Sequence, residues 1–288
     1  MKVTPKSLIV DLLVTVREGS MPVRSLVAAA ELFGIPENGL RVALARLTAA
    51  GQIERDERGQ YRFGARAAAV RAQVDSWRTL ERRTVAWDGT WVGVLNATAA
   101  GASTRTQQRQ STRALLFLGM RQLGRGLSIR PNNLRGGVEQ VRARLLALGV
   151  PEAALVFSLS NLDDEAEKRA RALWDVEALE TEYRRSIQEL VRSEARLPRL
   201  PVREAMVESF LLGGRVIRKL VLDPLLPEAI APTATRQELG ETMRRYDRIG
   251  RACWAGFSRQ FGVPHRQTPL DTRLTGSEIF AAVDGGTA

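Results

Sequence analysis

The sequence predicts an α+β chain of several domains, on three observations. The first 63 residues run through three helical stretches into a pair of short strands. From about Arg83 the texture changes, and β-branched runs alternate with helical ones. Beyond Asp163 the periodicity is almost wholly helical. At 288 residues there is room for two or three compact domains. The expected layout is a domain of three helices and a hairpin over 1–64, a connecting helix over 65–83, a small α/β domain over 84–162 and a helical domain over 163–288.

Thr4-Pro5 places an N-cap before a proline at the first helical position. It opens Lys6–Glu18, with Leu8, Leu12 and Val16 in a stripe. Gly19-Ser20 ends that run, and Ser20 with Pro22 predicts a second helix to about Phe33. Gly34 closes the second helix and Pro36 suits the first turn of the third. On the third helix Leu40, Ala43, Leu44 and Leu47 share one face, which leaves Asn38, Arg41, Val42, Ala45 and Arg46 opposite. Gly51 suits a left-handed C-cap. Ile53 and Tyr61/Phe63 flank a polar run whose Arg58-Gly59 pair marks a tight turn. Three helices closed by a two-stranded wing are the outline of a winged helix-turn-helix. The same pattern also fits an amphipathic surface helix before an ordinary hairpin.

Residues 64–83 predict an alanine-rich basic helix. Strands are expected over Thr90–Ala99, around Met120–Leu123, over Leu127–Arg130 and over Leu155–Leu159, with helices over Thr106–Leu118 and Val138–Leu148. That alternation is the outline of a ferredoxin-like α/β domain. Asp163–Glu194 reads as one charged amphipathic helix and Val202–Leu222 as a second. Thr235 to Glu238 reads as a capping box opening a third helix to about Phe261. The tail from Pro264 has little periodicity apart from Ser277–Val283.

Charge is the outlier in the composition. There are 43 basic residues against 32 acidic ones, a net +11, and only Lys2, Lys6, Lys168 and Lys219 are lysines. The excess is therefore guanidinium, which favours bidentate contacts to phosphate and guanine. Residues 84–134 carry six arginines against Asp88 alone, so an anionic partner is expected there as well. One cysteine, Cys253, excludes an intrachain disulfide and fits a reducing compartment. No window reaches the ~18 apolar residues of a membrane span, and no secretory signal opens the chain. A cytoplasmic protein with no membrane association is expected.

For DNA, Arg41 has the reach for guanine O6/N7 in the major groove, and Asn38 near the helix start for adenine. Val42 and Ala45 are small enough to let the helix sit deep against thymine methyls. Arg46, at the edge of the face, is expected to meet phosphate, and Arg58 at the wing tip a phosphate or the minor groove. Arg24 and Ser25, at the start of the second helix, are expected to hold the DNA backbone.

With those segments in place, the chain resembles the PaaX-type repressors of phenylacetate catabolism. The first block is Gly34-Ile35 with Leu40 to Leu44 and Arg46-Leu47. The second is Trp87-Asp88-Gly89-Thr90-Trp91, and the third runs from Arg109, Arg113, Leu116, Gly119 and Leu123 through Ile129-Arg130-Pro131. The fourth is Trp174 with Tyr183, followed by Arg215, Arg218 and Asp223-Pro224-Leu225-Leu226-Pro227. Where the family follows that last block with a second leucine-proline pair and a tryptophan, this chain has Glu228 to Pro232 instead. The resemblance implies a homodimeric repressor of a catabolic operon that binds double-stranded operator DNA. It further implies release by an acyl- or aryl-coenzyme A ester such as phenylacetyl-CoA. The phosphates of such an ester would want arginines and its acyl end an apolar pocket. Candidates are Arg109, Arg113, Arg130, Arg215 and Arg218, with Trp91 or Trp174. Each of these arginines also fits a surface or interdomain salt bridge.

No enzyme and no cofactor are expected. The single histidine, His265, stands in the irregular tail, and no cysteine, histidine or carboxylate cluster has metal-ligand spacing. Cys253, beside Trp254 in a helix, reads as a small buried hydrophobe. The middle domain's expected fold also resembles the CRISPR spacer-acquisition nucleases, whose first strand ends in a metal-binding aspartate. Here that end reads Leu95-Asn96-Ala97, without an acid.

Overall fold

The computed structural model describes residues 3–16, 19–64, 74, 76–95 and 105–263. These residues form an α+β structure of ten α-helices and two small antiparallel sheets, with a helical C-terminal part. The chain divides into two compact units. One comprises 1–75, 187–217 and 241–288, the other 76–186 and 218–240.

In the first unit, α1 (Pro5–Thr15) starts where Thr4 and Ser7 cap each other reciprocally. Strand β1 (Ser20–Pro22) follows, then α2 (Val23–Leu32) and α3 (Glu37–Ala49), then strands β2 (Ile53–Arg55) and β3 (Gln60–Phe63). The sheet order is β1-β3-β2. The second helix therefore starts later than the sequence predicts. Ser20–Pro22 is extended and pairs with Gln60–Arg62, and Pro22 (ψ 146°) becomes the N-cap of α2. Likewise Pro36 is the N-cap of α3, not its first turn. Leu8, Ile9, Leu12 and Leu13 of α1, Leu26 and Ala30 of α2, and Leu40, Leu44 and Leu47 of α3 form the buried core. Burial of that apolar area outweighs the modest helix propensity of these short segments.

The same unit takes in parts of the later helices: α7 (Val176–Arg196), α8 (Val202–Val221), α9 (Ala234–Cys253) and α10 (Ala255–Phe261). Phe33, Phe210, Trp254, Phe257 and Phe261 form a continuous aromatic chain, with ring centroids 5.2, 5.6, 5.3 and 4.6 Å apart. The Trp254 indole N–H donates to Met206 O at 2.9 Å, so the buried ring keeps its polar handle satisfied. Cys253 is buried, as its neighbours predict, and burial pushes its thiol pKa up.

The second unit opens with a 3-10 stretch, Ser76–Arg83, kinked at Thr79. Its main body is β4 (Trp91–Leu95), α4 (Arg105–Phe117), β5 (Arg121–Gly124), β6 (Leu127–Pro131), α5 (Gly137–Ala147) and β7 (Leu155–Leu159). The sheet order is β5-β6-β4-β7, with every neighbouring pair antiparallel. Helix α6 (Asp164–Arg171) follows, capped by the Asp163 carboxylate, which accepts from Ala166 N at 2.7 Å. The expected single helix Asp163–Glu194 is thus two. The chain breaks at Ala172–Asp175, and Asp175 restarts it by accepting from Ala178 N at 2.9 Å. The break seats Trp174 in a core with Trp91, Ile129, Ala170, Leu226 and Ala231.

Two further expectations are corrected. Helix α9 begins at Ala234, so Thr235 lies inside it; the Thr235 hydroxyl donates to Glu180 Oε2 at 3.0 Å and closes no capping box. The helix expected to run to Phe261 breaks at Trp254 into α9 and α10. The connecting-helix positions 65–73 and 75, the strand end 96–99, and 264–288 with His265 lie outside the described residues.

Candidate nucleic-acid interface

Helix α3 has two chemically distinct sides. Leu40, Leu44 and Leu47 are buried, which fixes the helix's rotation about its axis. That rotation leaves Asn38, Arg41, Val42, Ala45 and Arg46 exposed, as the sequence predicts. Val42 is 44% exposed, an apolar side chain kept at the surface between two arginines. At the helix start, a methyl group on Gly39 would stand 4.0 Å from Pro5 Cγ, an ordinary contact with the beginning of α1. Arg41 is held by Glu37 one turn back, with Nε donating to Oε1 at 2.7 Å. The pair is exposed and worth only about 0.3–0.5 kcal/mol, so it orders Arg41 without preventing a stronger partner from taking it. This i,i+4 pair was legible in the spacing of the sequence but was not drawn from it.

The hairpin after α3 presents Arg58. The Asp56 carboxylate accepts from Arg58 N at 3.0 Å and from Gln60 N at 2.8 Å, and Gly59 turns the chain at φ 74°. A side-chain-capped turn of this kind is stiffer than a plain loop. Arg62 pairs with Glu54 at 3.4 Å, and the Arg55 guanidinium lies 5.9 Å from the Tyr61 ring. Arg58 itself is exposed. Arg24 is exposed at the start of α2. Ser25 is not: its side chain is fully buried, and its hydroxyl has no hydrogen-bond partner among the described residues. A phosphate contact from that hydroxyl is therefore withdrawn, because α2 turns Ser25 inward with Leu26.

Of the residues expected to meet an ester effector, Trp91, Trp174 and Arg130 are committed to the protein's own interior. Trp91 and Trp174 are core residues, their rings stacked 6.2 Å apart at 7°. Trp91 Nε1 donates to Glu167 Oε2 at 2.9 Å and Trp174 Nε1 to Gly119 O at 3.2 Å. Arg130 is 2% exposed. Its guanidinium donates to Leu118 O, to Pro131 O, Asn133 Oδ1 and Pro224 O at 3.1 Å each. Burial drives its pKa down to about 9, helped by the charges of Arg83 and Arg144. Arg130 is thus a structural clamp on the turn at Asp223-Pro224, since a ligand would have to strip it from four acceptors. Opposite it, Asn133 Nδ2 donates to Leu225 O at 2.7 Å. Asp223 accepts from Tyr183 OH at 2.6 Å and from Leu225 N at 2.7 Å, which makes the Asp-Pro segment a turn rather than a ligand contact. Gly119 is needed here: a methyl group on it would lie 2.7 Å from Pro224 Cα, against backbone that cannot yield.

Arg109 and Arg113 stand exposed on α4, and Arg218 is exposed on α8. Arg215 is paired with Glu189 Oε2 at 3.0 Å. Among the described residues no group of histidine, cysteine or carboxylate side chains is placed to hold a metal ion. No helix among them is long and apolar enough to cross a membrane.

Comparison with known proteins falls on the same segment. A family model described as PaaX-like protein matches residues 4–74, which span α1 to β3. No curated protein matches the chain. Among solved structures, the chain is similar to the uncharacterized protein Rv0674 from Mycobacterium tuberculosis. The two are 22% identical, the match covers 86% of this chain and 99% of that one, and the TM-score is 0.51, a likeness of fold. The PaaX-type resemblance carried by the sequence is thus shown over residues 4–74, the segment that presents the outward face of α3.

Proposed function

We propose that this protein is a DNA-binding transcriptional regulator that represses a catabolic operon. In this reading α1 to β3 form a winged helix-turn-helix, with α3 as the helix that enters the major groove and the β2–β3 hairpin as the wing. The observation that carries it is the outward face of α3, where Asn38, Arg41, Val42, Ala45 and Arg46 are exposed above buried leucines. Polar and small side chains on a helix anchored from below are what base readout requires. The PaaX-like match over the same residues supports it. Arg24, Arg46 and Arg58 contribute phosphate contacts, the sequence-independent part of the affinity. The protein binds its operator as a homodimer, in keeping with operator symmetry, acts in the cytoplasm and performs no catalysis.

The sheet order β5-β6-β4-β7 with antiparallel neighbours supports reading the β4–β7 body as a ferredoxin-like domain. We assign to it and the helices beyond it the response to an acyl- or aryl-CoA ester such as phenylacetyl-CoA. Any such ester must bind the DNA-competent and released states with different affinities, or nothing shifts. A second reading, a constitutive DNA binder without effector, is favoured by the burial of Trp91, Trp174 and Arg130.

The test is a gel-shift titration on duplex from the protein's own promoter, with and without a panel of acyl-CoA esters. Specific retardation relieved by one ester supports the regulated repressor. Specific retardation that no ester relieves supports the constitutive reading. Equal affinity for promoter and random duplex at every salt concentration contradicts both.

A further inference from the structure

Helix α4 (Arg105–Phe117) contains no carboxylate, and none occurs anywhere between Asp88 and Glu139. Ser111, Ala114 and Leu115 are buried, with Leu118 just beyond the helix, and Gln110 Nε2 donates to Leu148 O at 3.1 Å. At about 3.6 residues per turn, that burial puts Arg105, Arg109 and Arg113 together on the opposite side of the helix. All three are exposed, and among the described residues none of them is ion-paired. Several other helix arginines are neutralised one turn away. Arg41 pairs with Glu37, Arg142 with Glu139, Arg171 with Glu167 and Arg184 with Glu180.

Like charges at i,i+4 repel, and Arg105 adds a cation at the positive end of the helix dipole. The arrangement therefore costs stability in the free protein, and an anion relieves it. With a rise of about 1.5 Å per residue, the three arginines form a row about 12 Å long. That is too long for one phosphate group. A strand of duplex DNA carries one charge per about 3.4 Å of its axis, so the row spans about three phosphates. Gln107, Gln108 and Thr112, also exposed, are further side-chain types that contact phosphate and sugar. Among the described side chains of α4 only Leu116 is an exposed large apolar one, too little for the apolar core of a protein partner's interface.

We propose that this face of α4 is a second contact with duplex DNA, in which Arg105, Arg109 and Arg113 hold the sugar-phosphate backbone without reading bases. The proposal rests on the DNA-binding reading above and adds to it a sequence-independent contact outside residues 4–74. The full chain is compared with the triple variant Arg105→Gln, Arg109→Gln, Arg113→Gln by fluorescence anisotropy. Promoter duplex and random duplex of equal length are titrated across a range of salt concentrations. Glutamine keeps the helix propensity of arginine, and an unchanged or higher melting temperature shows that the variant is folded. The variant is expected to bind both duplexes at least about tenfold more weakly at low salt while keeping its preference for promoter. The slope of log K against log salt should fall by about 2.7 per protomer, at roughly 0.9 per phosphate lost, and by about 0.9 for Arg109→Gln alone. Promoter preference in the parent, with slope and affinity unchanged in the variant, would overturn the proposal and leave the regulator reading standing. A fall in slope without any promoter preference in the parent would do the reverse. A parent protein that binds neither duplex would overturn both.

Discussion

Arg41 and Arg130 are the same residue put to opposite uses. Arg41 sits on a helix whose other side is leucine, touches one exposed glutamate and faces water. Arg130 sits on a central strand, is shut away from water and gives its donors to four acceptors of its own chain. A sequence in which guanidinium dominates the charge offers both as anion contacts. What separates them is acceptor supply: a strand in the middle of a sheet surrounds its arginine with carbonyls, whereas the outer side of an anchored helix supplies none. Arginine in a basic chain is therefore informative about binding only once its internal partners are counted.

That contrast breaks first at Arg130. Arg130→Met should strand the carbonyls of Leu118, Pro131 and Pro224 in a buried site, costing about 3–5 kcal/mol, measured by urea denaturation. A loss under 1 kcal/mol would mean the clamp contributes little. Arg41→Ala should leave stability within about 0.5 kcal/mol while weakening operator binding by about 1–3 kcal/mol. Fluorescence anisotropy on operator and random duplex reads the second effect, and equal losses on both would make Arg41 a phosphate contact. Arg58→Ala should weaken binding to all sequences alike and lower the slope of log K against log salt by about one. The smallest change is Glu37→Gln, which releases Arg41 from its i,i+4 partner. Helix stability should fall by about 0.3–0.5 kcal/mol and operator affinity should rise, because a like-charged group leaves the phosphate side. A fall in operator affinity would mean that Glu37 orients Arg41 for binding.

Much of the N-terminal segment was legible because its signals are local. Thr4-Pro5, the leucine stripe of α3, Gly51 and Arg58-Gly59 act through neighbouring residues, and the structure uses each at its expected place. Strand β1 was missed because three residues leave no periodicity, and their extended form is fixed by pairing with β3 forty residues on. The strand expected around Met120–Leu123 is present as Arg121–Gly124, paired to β6. The break at Ala172–Asp175 was hidden because the charged pattern continues through it, while the tertiary seat of Trp174 decides it. Trp91, Trp174 and Arg130 were offered as effector contacts for a related reason. Tryptophan and arginine serve a binding pocket and a buried polar turn equally well in sequence, and the acceptors that distinguish the two come from Leu118 and Pro224, distant along the chain. Ser25 misled similarly: position at a helix start says nothing of which way α2 turns its side chain.

The most direct measurement is a double-mutant cycle between Arg41 and the DNA base. Operator duplexes are prepared in which each guanine in turn is replaced by 7-deazaguanine, which lacks the N7 acceptor. Binding is measured for the parent protein and for Arg41→Ala. A base-reading α3 predicts one guanine per half-site whose replacement weakens the parent by about 1–3 kcal/mol and leaves Arg41→Ala unchanged. Losses that simply add at every guanine, or a parent protein indifferent to all the replacements, would contradict α3 as the reading helix.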